Sequence, residues 1–371
     1  MTMVSLGHYL DANATEPLRP EARDAMVTVL DVTGNPSSVH AAGRAARRTM
    51  EDAREVLAGR FGCQAGDLVF TSGGTEADAL AVHALGQDRR LVVGATEHDA
   101  IRAAASGARV VPVHANGSID LAALAEILAE GPPALVCVML ANNETGTIQP
   151  VAAVAVLCRS HGALLHVDAV QAAGRMTVNL TELGASSLAI SSHKLGGPTG
   201  VGALLLAPDL GTIVPLIRGG GQERGRRGGT PPVAAIAGFA AAAMAAGDSG
   251  SLAVLRDRAE RAAVACGARA IGGDAPRLSN TTCIALPGAR ADTQVIALDL
   301  EGIAVSAGAA CSSGKVAASH VLAAMGLGAL AGQAIRVSLP WNATAADVDA
   351  FAAAYGRMAD RLRAPLVSRA A

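Results

Sequence analysis

From about residue 67 to residue 206, short runs of apolar and β-branched residues alternate with stretches whose apolar positions recur every three or four residues. The runs predict strands at 68–71, 91–93, 110–113, 134–140, 164–167, 188–191 and 203–206. The stretches between them carry helix punctuation. Asp120 stands where an N-cap belongs, ahead of Leu121, Leu124 and Leu128 on one face, with Gly131 just past the end. Pro150 suits the first turn of the next helix and Gly162 its stop. Such alternation predicts an α/β fold, a large domain with a mostly parallel sheet flanked by helices.

The longest apolar stretch, 233–246, lies between Pro231-Pro232 and Gly247-Asp248. It is shorter than the roughly 18–20 residues that span a bilayer and predicts a buried helix. Residues 247–250 read as a hinge. Beyond them the pattern predicts a helix at 252–266, a strand at 281–286, a helix near 292–300, strands at 303–306 and 335–339, and a closing helix at 345–362. Two domains follow: a large one over 16–247, and a smaller α/β one made of 1–15 with 248–371.

Composition narrows the function. A net charge of −2 and a pI near 6.5 point away from nucleic acid or an anionic membrane as partner. The N-terminus lacks a basic segment followed by an apolar run, so no secretory leader is expected, and a cytoplasmic location is. The six cysteines include no CxxC pair and no zinc-like spacing, and five read as inert core residues. Lysine occurs only at Lys194 and Lys315, while arginine supplies the other 28 basic residues. A position that keeps lysine in such a chain is a candidate for an amine that must lose its proton.

Polar residues of catalytic type follow three of the strands. Thr71-Ser72-Gly73-Gly74-Thr75-Glu76 joins a strand to a helix, either as an ordinary glycine-rich turn or as a phosphate loop. Asp168 closes the run Leu165-His166-Val167, either as a helix cap or as a functional acid. Lys194 follows the apolar run ending Ser191-Ser192-His193, where desolvation favours a nucleophilic amine over an ordinary surface lysine. Asp168 and Lys194 are 26 residues apart, enough for a crossover that returns both to one sheet edge. An acid, a desolvated lysine and a phosphate loop together suit pyridoxal 5′-phosphate. In the second domain, Cys311 sits among small residues in Gly308-Ala309-Ala310-Cys311-Ser312-Ser313-Gly314, the setting of a reactive thiol. Arg336, inside an apolar strand, needs an anion, which a structural ion pair or a substrate carboxylate would supply.

Taken in order, Tyr9 to Thr15, Gly34 to His40, Thr71 to Glu76, Thr96-Glu97-His98, Asn142 to Gly146, His166 to Gln171, Ser191 to Gly202, Arg227 to Pro231 and the Cys311 loop resemble the cysteine desulfurases of the NifS/IscS type. These belong to the fold-type-I pyridoxal-phosphate enzymes. The resemblance implies that Lys194 holds the cofactor as a Schiff base and moves protons at the substrate Cα. It implies that Asp168 pairs with the pyridine nitrogen, Gln171 bonds the phenolic oxygen, and His98 stacks on the ring as a catalytic residue that shuttles protons. Gly74, Thr75, Ser191 and His193 would hold the phosphate, and Thr230 would reach the phosphate of a partner subunit in a homodimer. Asn143 and Arg336 would bind the carboxylate of L-cysteine. Cys311 would take the sulfur as a persulfide, leaving L-alanine, for iron–sulfur or other thio-cofactor assembly through an acceptor protein.

Several positions depart from the family pattern. Glu16 stands where threonine is common and is expected to alter the pocket entrance; Ser192 and Ala309 replace a frequent glycine and serine, and Thr199 a lysine or glutamine. The alternatives are another fold-type-I enzyme, a class V aminotransferase or selenocysteine lyase, and a catalytically silent scaffold. The scaffold ranks last because Asp168 and Lys194 are both present.

Overall fold

The computed structural model describes residues 7–247, 249–308 and 318–363. Cys311 and Lys315 therefore lie outside the described residues. In chain order the first part contains β1 (His8–Tyr9), α1 (Pro20–Leu30), α2 (Ala41–Phe61), β2 (Leu68–Thr71), α3 (Gly74–Leu85), β3 (Arg90–Gly94), α4 (Asp99–Ala104) and β4 (Arg109–Val111). There follow α5 (Leu121–Ala129), β5 (Ala134–Met139), α6 (Val151–Ser160), β6 (Leu164–Asp168), α7 (Leu180–Leu183), β7 (Ser187–Ser191), β8 (Gly202–Leu206) and α8 (Val233–Ala245). The second part holds α9 (Leu252–Ala265), β9 (Arg269–Ile271), β10 (Thr281–Ala285), α10 (Ala291–Asp299), β11 (Ile303–Ala304), β12 (Ser306–Ala307), α11 (His320–Ala324), β13 (Ala334–Ser338) and α12 (Ala345–Arg363).

Among the described residues the large sheet has seven strands in the order β2-β8-β7-β6-β5-β3-β4. Only β8 runs against its neighbours. Strands buried on both faces need apolar residues at every position, and β5, Ala-Leu-Val-Cys-Val-Met, is buried throughout. Its side chains alternate between two cores. Ala134, Val136 and Val138 join the core shared with α2, α5, α6 and α8, whereas Leu135 and Cys137 join the one shared with α3 and α4. Asp120 caps α5 through the backbone N–H groups of Ala122 and Ala123. The alanine-rich α8 packs against α1 and α2. No helix among the described residues is long and apolar enough to cross a membrane.

The second part has a four-stranded antiparallel sheet, β12-β13-β10-β9, with its own core of Ile284, Ile335, Val337, Phe351 and Tyr355 against α9 and α12. The single strand expected at 303–306 is two. β11 pairs in parallel with β1, so the N-terminal segment belongs beside the C-terminal region, and after Val305 the chain changes partner to β13. A hydrophobicity pattern records that residues are buried, not which neighbour they bond.

Candidate active site

The site lies beyond the carboxyl ends of the parallel strands, where ligands settle in open α/β sheets. β6 and β7 are parallel, with Asp168 opposite Ala189, so Asp168 and the turn after Ser191 share one edge. That turn delivers Lys194 to a cavity of about 400 Å³. Lys194, Asp168, Gly74, Thr75, His98, Asn143, Gln171, Ser191, His193 and Arg336 all line it.

One end of the cavity is built from uncharged donors. α3 starts at Gly74 with no side chain capping its first turn, which leaves its first N–H groups available for an anion. A Cβ on Gly74 would stand 2.6 Å from Val170 Cγ2, so only glycine allows the loop this close to the strand β6 edge. Glu76 fixes the loop from outside: its carboxylate accepts from the Ser72 N–H at 2.7 Å and pairs with Arg227 Nε at 2.8 Å. Ser191 Oγ is buried with no partner among the described residues. His193 Nδ1 lies 3.1 Å from Thr15 Oγ1, and burial followed by the charges of Lys194 and Arg175 brings its pKa down to about 4, so it is neutral.

The other end is acidic and dry. Asp168 accepts the Val170 N–H at 2.9 Å, yet burial and then neighbouring Asp78 raise its pKa from 3.8 to about 7. Burial raises Asp78 to about 8. Asp78 Oδ1 sits 3.1 Å from His166 Nε2, while His166 Nδ1 meets Ser187 Oγ at 2.8 Å. Burial lowers His166 to about 4, so this is a neutral hydrogen-bonded pair. Glu97 is pushed well above the usual carboxylate range, by burial and by the nearby acids Asp168 and Asp78. A cation beside Asp168 would relieve this cluster.

Lys194 Nζ donates to the carbonyls of Asn13 at 2.5 Å and Ala14 at 2.9 Å. Asn13 is a hub: its side-chain nitrogen reaches Asn143 O at 3.1 Å and Thr281 Oγ1 at 2.9 Å. The ring of His98 caps α4, Nδ1 accepting from the Ala100 N–H at 3.1 Å. Arg336 makes the structural ion pair. It pairs with Asp11 at 2.6 Å and donates to Asn143 O at 3.0 Å, while its Nε stays buried without a partner among the described residues.

The residues flanking the Cys311 segment come together here. Ser306 and Gly308 line the cavity. A Cβ on Gly308 would fall 2.2 Å from Glu144 Oε2, the same oxygen that accepts from Ser319 Oγ at 2.5 Å. Gly308 and Ser319, on either side of residues 309–317, thus both lie beside one buried carboxylate.

A family model for class-V aminotransferases matches residues 8–351. The chain is 41% identical to an IscS-like cysteine desulfurase of Mycobacterium tuberculosis, over 92% of this chain and 93% of that one. It is 43% identical to a cysteine desulfurase of Cereibacter sphaeroides, covering 96% of each. It also resembles the crystal structure of a NifS-like protein from Rickettsia africae, with TM-score 0.89 and 34% identity over 95% of this chain and 99% of the other. The chain belongs to the cysteine desulfurase family, within the class-V aminotransferases. This family uses pyridoxal phosphate, and the cavity fits that molecule: an orphaned hydroxyl and an uncapped helix start suit a phosphate, and a strained buried acid suits a protonated ring nitrogen.

Two of the residues singled out in the sequence do not line this cavity. Thr230 is exposed and does not line the cavity of its own chain. Glu16, expected at the pocket entrance, is instead buried and paired with Arg175 at 3.3 Å, because the turn after Asn13 folds inward there. Asp11, Asn13 and Asp78 line the cavity although the sequence pattern gives them no role. A signal for Asp78 exists: an acid between Ala77 and Leu80 on the apolar face of a helix is costly unless it is used.

Proposed function

We propose that this protein is a pyridoxal-phosphate-dependent cysteine desulfurase that removes sulfur from L-cysteine, leaving L-alanine and a persulfide on Cys311. The observation that carries the reading is the cavity itself, which the Lys194 amine lines together with the buried Asp168 carboxylate and a Ser191 hydroxyl that has no partner among the described residues. When bound, the cofactor supplies an electron sink conjugated to the substrate Cα.

In this reading Ser191, His193, Gly74 and Thr75 bind the phosphate, and Thr230 serves the phosphate of the second subunit of a homodimer. Asp168 keeps the ring nitrogen protonated, Gln171 donates to the phenolic oxygen, and His98 covers the ring face. Arg336 and Asn143 orient the substrate carboxylate, a role supported by the orphaned Arg336 Nε. Lys194, released from the Asn13 and Ala14 carbonyls, moves a proton at Cα. The Cys311 thiolate attacks the substrate sulfur: the S–S bond forms as the Cβ–S bond breaks, the pair stays with carbon, and a proton completes alanine. Cys311 supplies the thiol, and the flanking residues Gly308 and Ser319 lie beside Glu144.

We further read residues 16–247 as the cofactor-binding domain and 1–15 with 248–371 as the smaller one, supported by their separate cores. The chain is read as a cytoplasmic enzyme that passes its sulfur to an acceptor protein for iron–sulfur or other thio-cofactor assembly.

The test uses purified protein loaded with pyridoxal phosphate, then L-cysteine with a reductant, measuring sulfide and alanine. Wild type should release both in equal amounts. Cys311→Ser should keep the cofactor absorbance and lose sulfide release. Normal sulfide release by that variant would move the assignment to an aminotransferase with an incidental cysteine.

A further inference from the structure

Gln171 lines the cavity, yet its side-chain amide is gripped from behind. Arg175 Nη1 donates to Gln171 Oε1 at 2.6 Å and to the Gln171 carbonyl at 2.8 Å. Arg175 Nη2 reaches the Ala12 carbonyl at 3.2 Å and Glu16 Oε1 at 3.3 Å. The Arg175 and Glu16 side chains are 3% and 5% exposed, and neither lines the large cavity. They border a smaller one of about 160 Å³ behind it.

A guanidinium carries only N–H donors, so the group of Gln171 that meets Arg175 has to be the amide oxygen. The amide nitrogen then lies on the other side, where it donates to the Asn13 carbonyl at 3.0 Å and keeps a second N–H. Left to itself, a glutamine amide presents oxygen or nitrogen by a simple rotation. We propose that Arg175, neutralised by Glu16, is a positioning residue that locks the Gln171 amide so that it offers the cavity a donor and never an acceptor. This rests on the cofactor reading above, in which that donor meets the anionic phenolic oxygen.

Glu16 is needed because a buried guanidinium is costly alone. The other charges that act on Arg175, those of Arg19 and Arg336, repel it, while Glu16 opposes the loss of its proton. Glu16 is itself held by the Trp341 N–H at 3.3 Å. The pair therefore serves as a fixed, neutral clamp.

The experiment titrates the visible absorbance of the pyridoxal-phosphate-loaded protein against pH. A donor at the phenolic oxygen favours the deprotonated chromophore, so losing it raises the midpoint. The expected rise is about one pH unit, a tenfold change in proton affinity for one hydrogen bond to a charged oxygen. Arg175→Met should raise the midpoint as Gln171→Ala does, and should add nothing when combined with Gln171→Ala. Arg175→Lys, which keeps an N–H toward Gln171 Oε1, should restore most of the wild-type value. If stranding Glu16 prevents Arg175→Met from folding, the double variant Glu16→Gln/Arg175→Met answers the same question. A wild-type midpoint in Arg175→Met, or a shift of equal size with and without Gln171, overturns the proposal. Wild-type protein that takes up no cofactor would instead overturn the reading on which it rests.

Discussion

The two ends of the cavity are opposites built from the same material. At the α3 end, a buried hydroxyl, a neutral histidine and uncapped backbone N–H groups offer donors without a net charge. At the β6 end, three acids lie close together with burial pushing all of them upward. Neither end is at rest. Among the described residues the Ser191 hydroxyl has no partner and burial disfavours the charged form of all three acids, so a molecule with a phosphate at one end and a basic nitrogen at the other relieves both at once. The fold holds this polarity ready before any ligand arrives, which is how a preorganised site avoids reorganisation during the reaction.

Neutralising the acidic end should have the largest effect. Asp168→Asn is expected to lower sulfide release by about 10²-fold or more, since in the proposed reading the ring nitrogen loses its charged partner. The same variant without cofactor should melt at a higher temperature than wild type at pH 8, because a buried acid has been removed. Slower turnover with an unchanged or lower melting temperature would contradict the picture of a strained carboxyl.

The donor end predicts a smaller change. Ser191→Ala should weaken pyridoxal-phosphate binding about tenfold, the worth of one hydrogen bond to a charged oxygen. Because Ser191 Oγ has no partner among the described residues, the melting temperature of the cofactor-free chain should hardly move. Equilibrium dialysis and thermal melts separate the two.

The smallest effect is in pH. Asp168 rises from 3.8 to about 7 in the fold, so between these values the native chain holds a proton that the unfolded chain releases. Its contribution is fully present below about pH 4 and is lost as pH rises toward 7. Asp78 extends the loss toward about 8. The cofactor-free protein should therefore lose a few degrees of melting temperature between pH 5 and 8. Pyridoxal phosphate should flatten the Asp168 part of that slope, and Asp78→Asn the rest.

What could be read from the sequence followed from burial. Strands such as β5 stand out because both faces are covered, and the two sheet-edge residues Asp168 and Lys194 followed from counting a crossover. The contacts of Asn13 with Lys194, Asn143 and Thr281 were not legible, because they join residues more than a hundred positions apart, the first two through backbone carbonyls and the third through a threonine hydroxyl. The same holds for Glu16. Its substitution for the family's threonine was visible, but its burial against Arg175 depends on how the turn after Asn13 folds. The break between β11 and β12 was hidden because Ile303, Val305 and Ala307 are apolar whichever strand they join.

The pairing of β1 with β11, together with the bridge from Asp11 to Ser338, has a consequence for synthesis on the ribosome. Asn13 and Ala14 supply the carbonyls that hold Lys194, but the strands that fix this segment are translated some 300 residues later. A nascent chain that has already made its parallel sheet thus still has an unfinished pocket. Completion of the pocket around Lys194 thus waits on the closing of a contact some 300 residues apart in sequence.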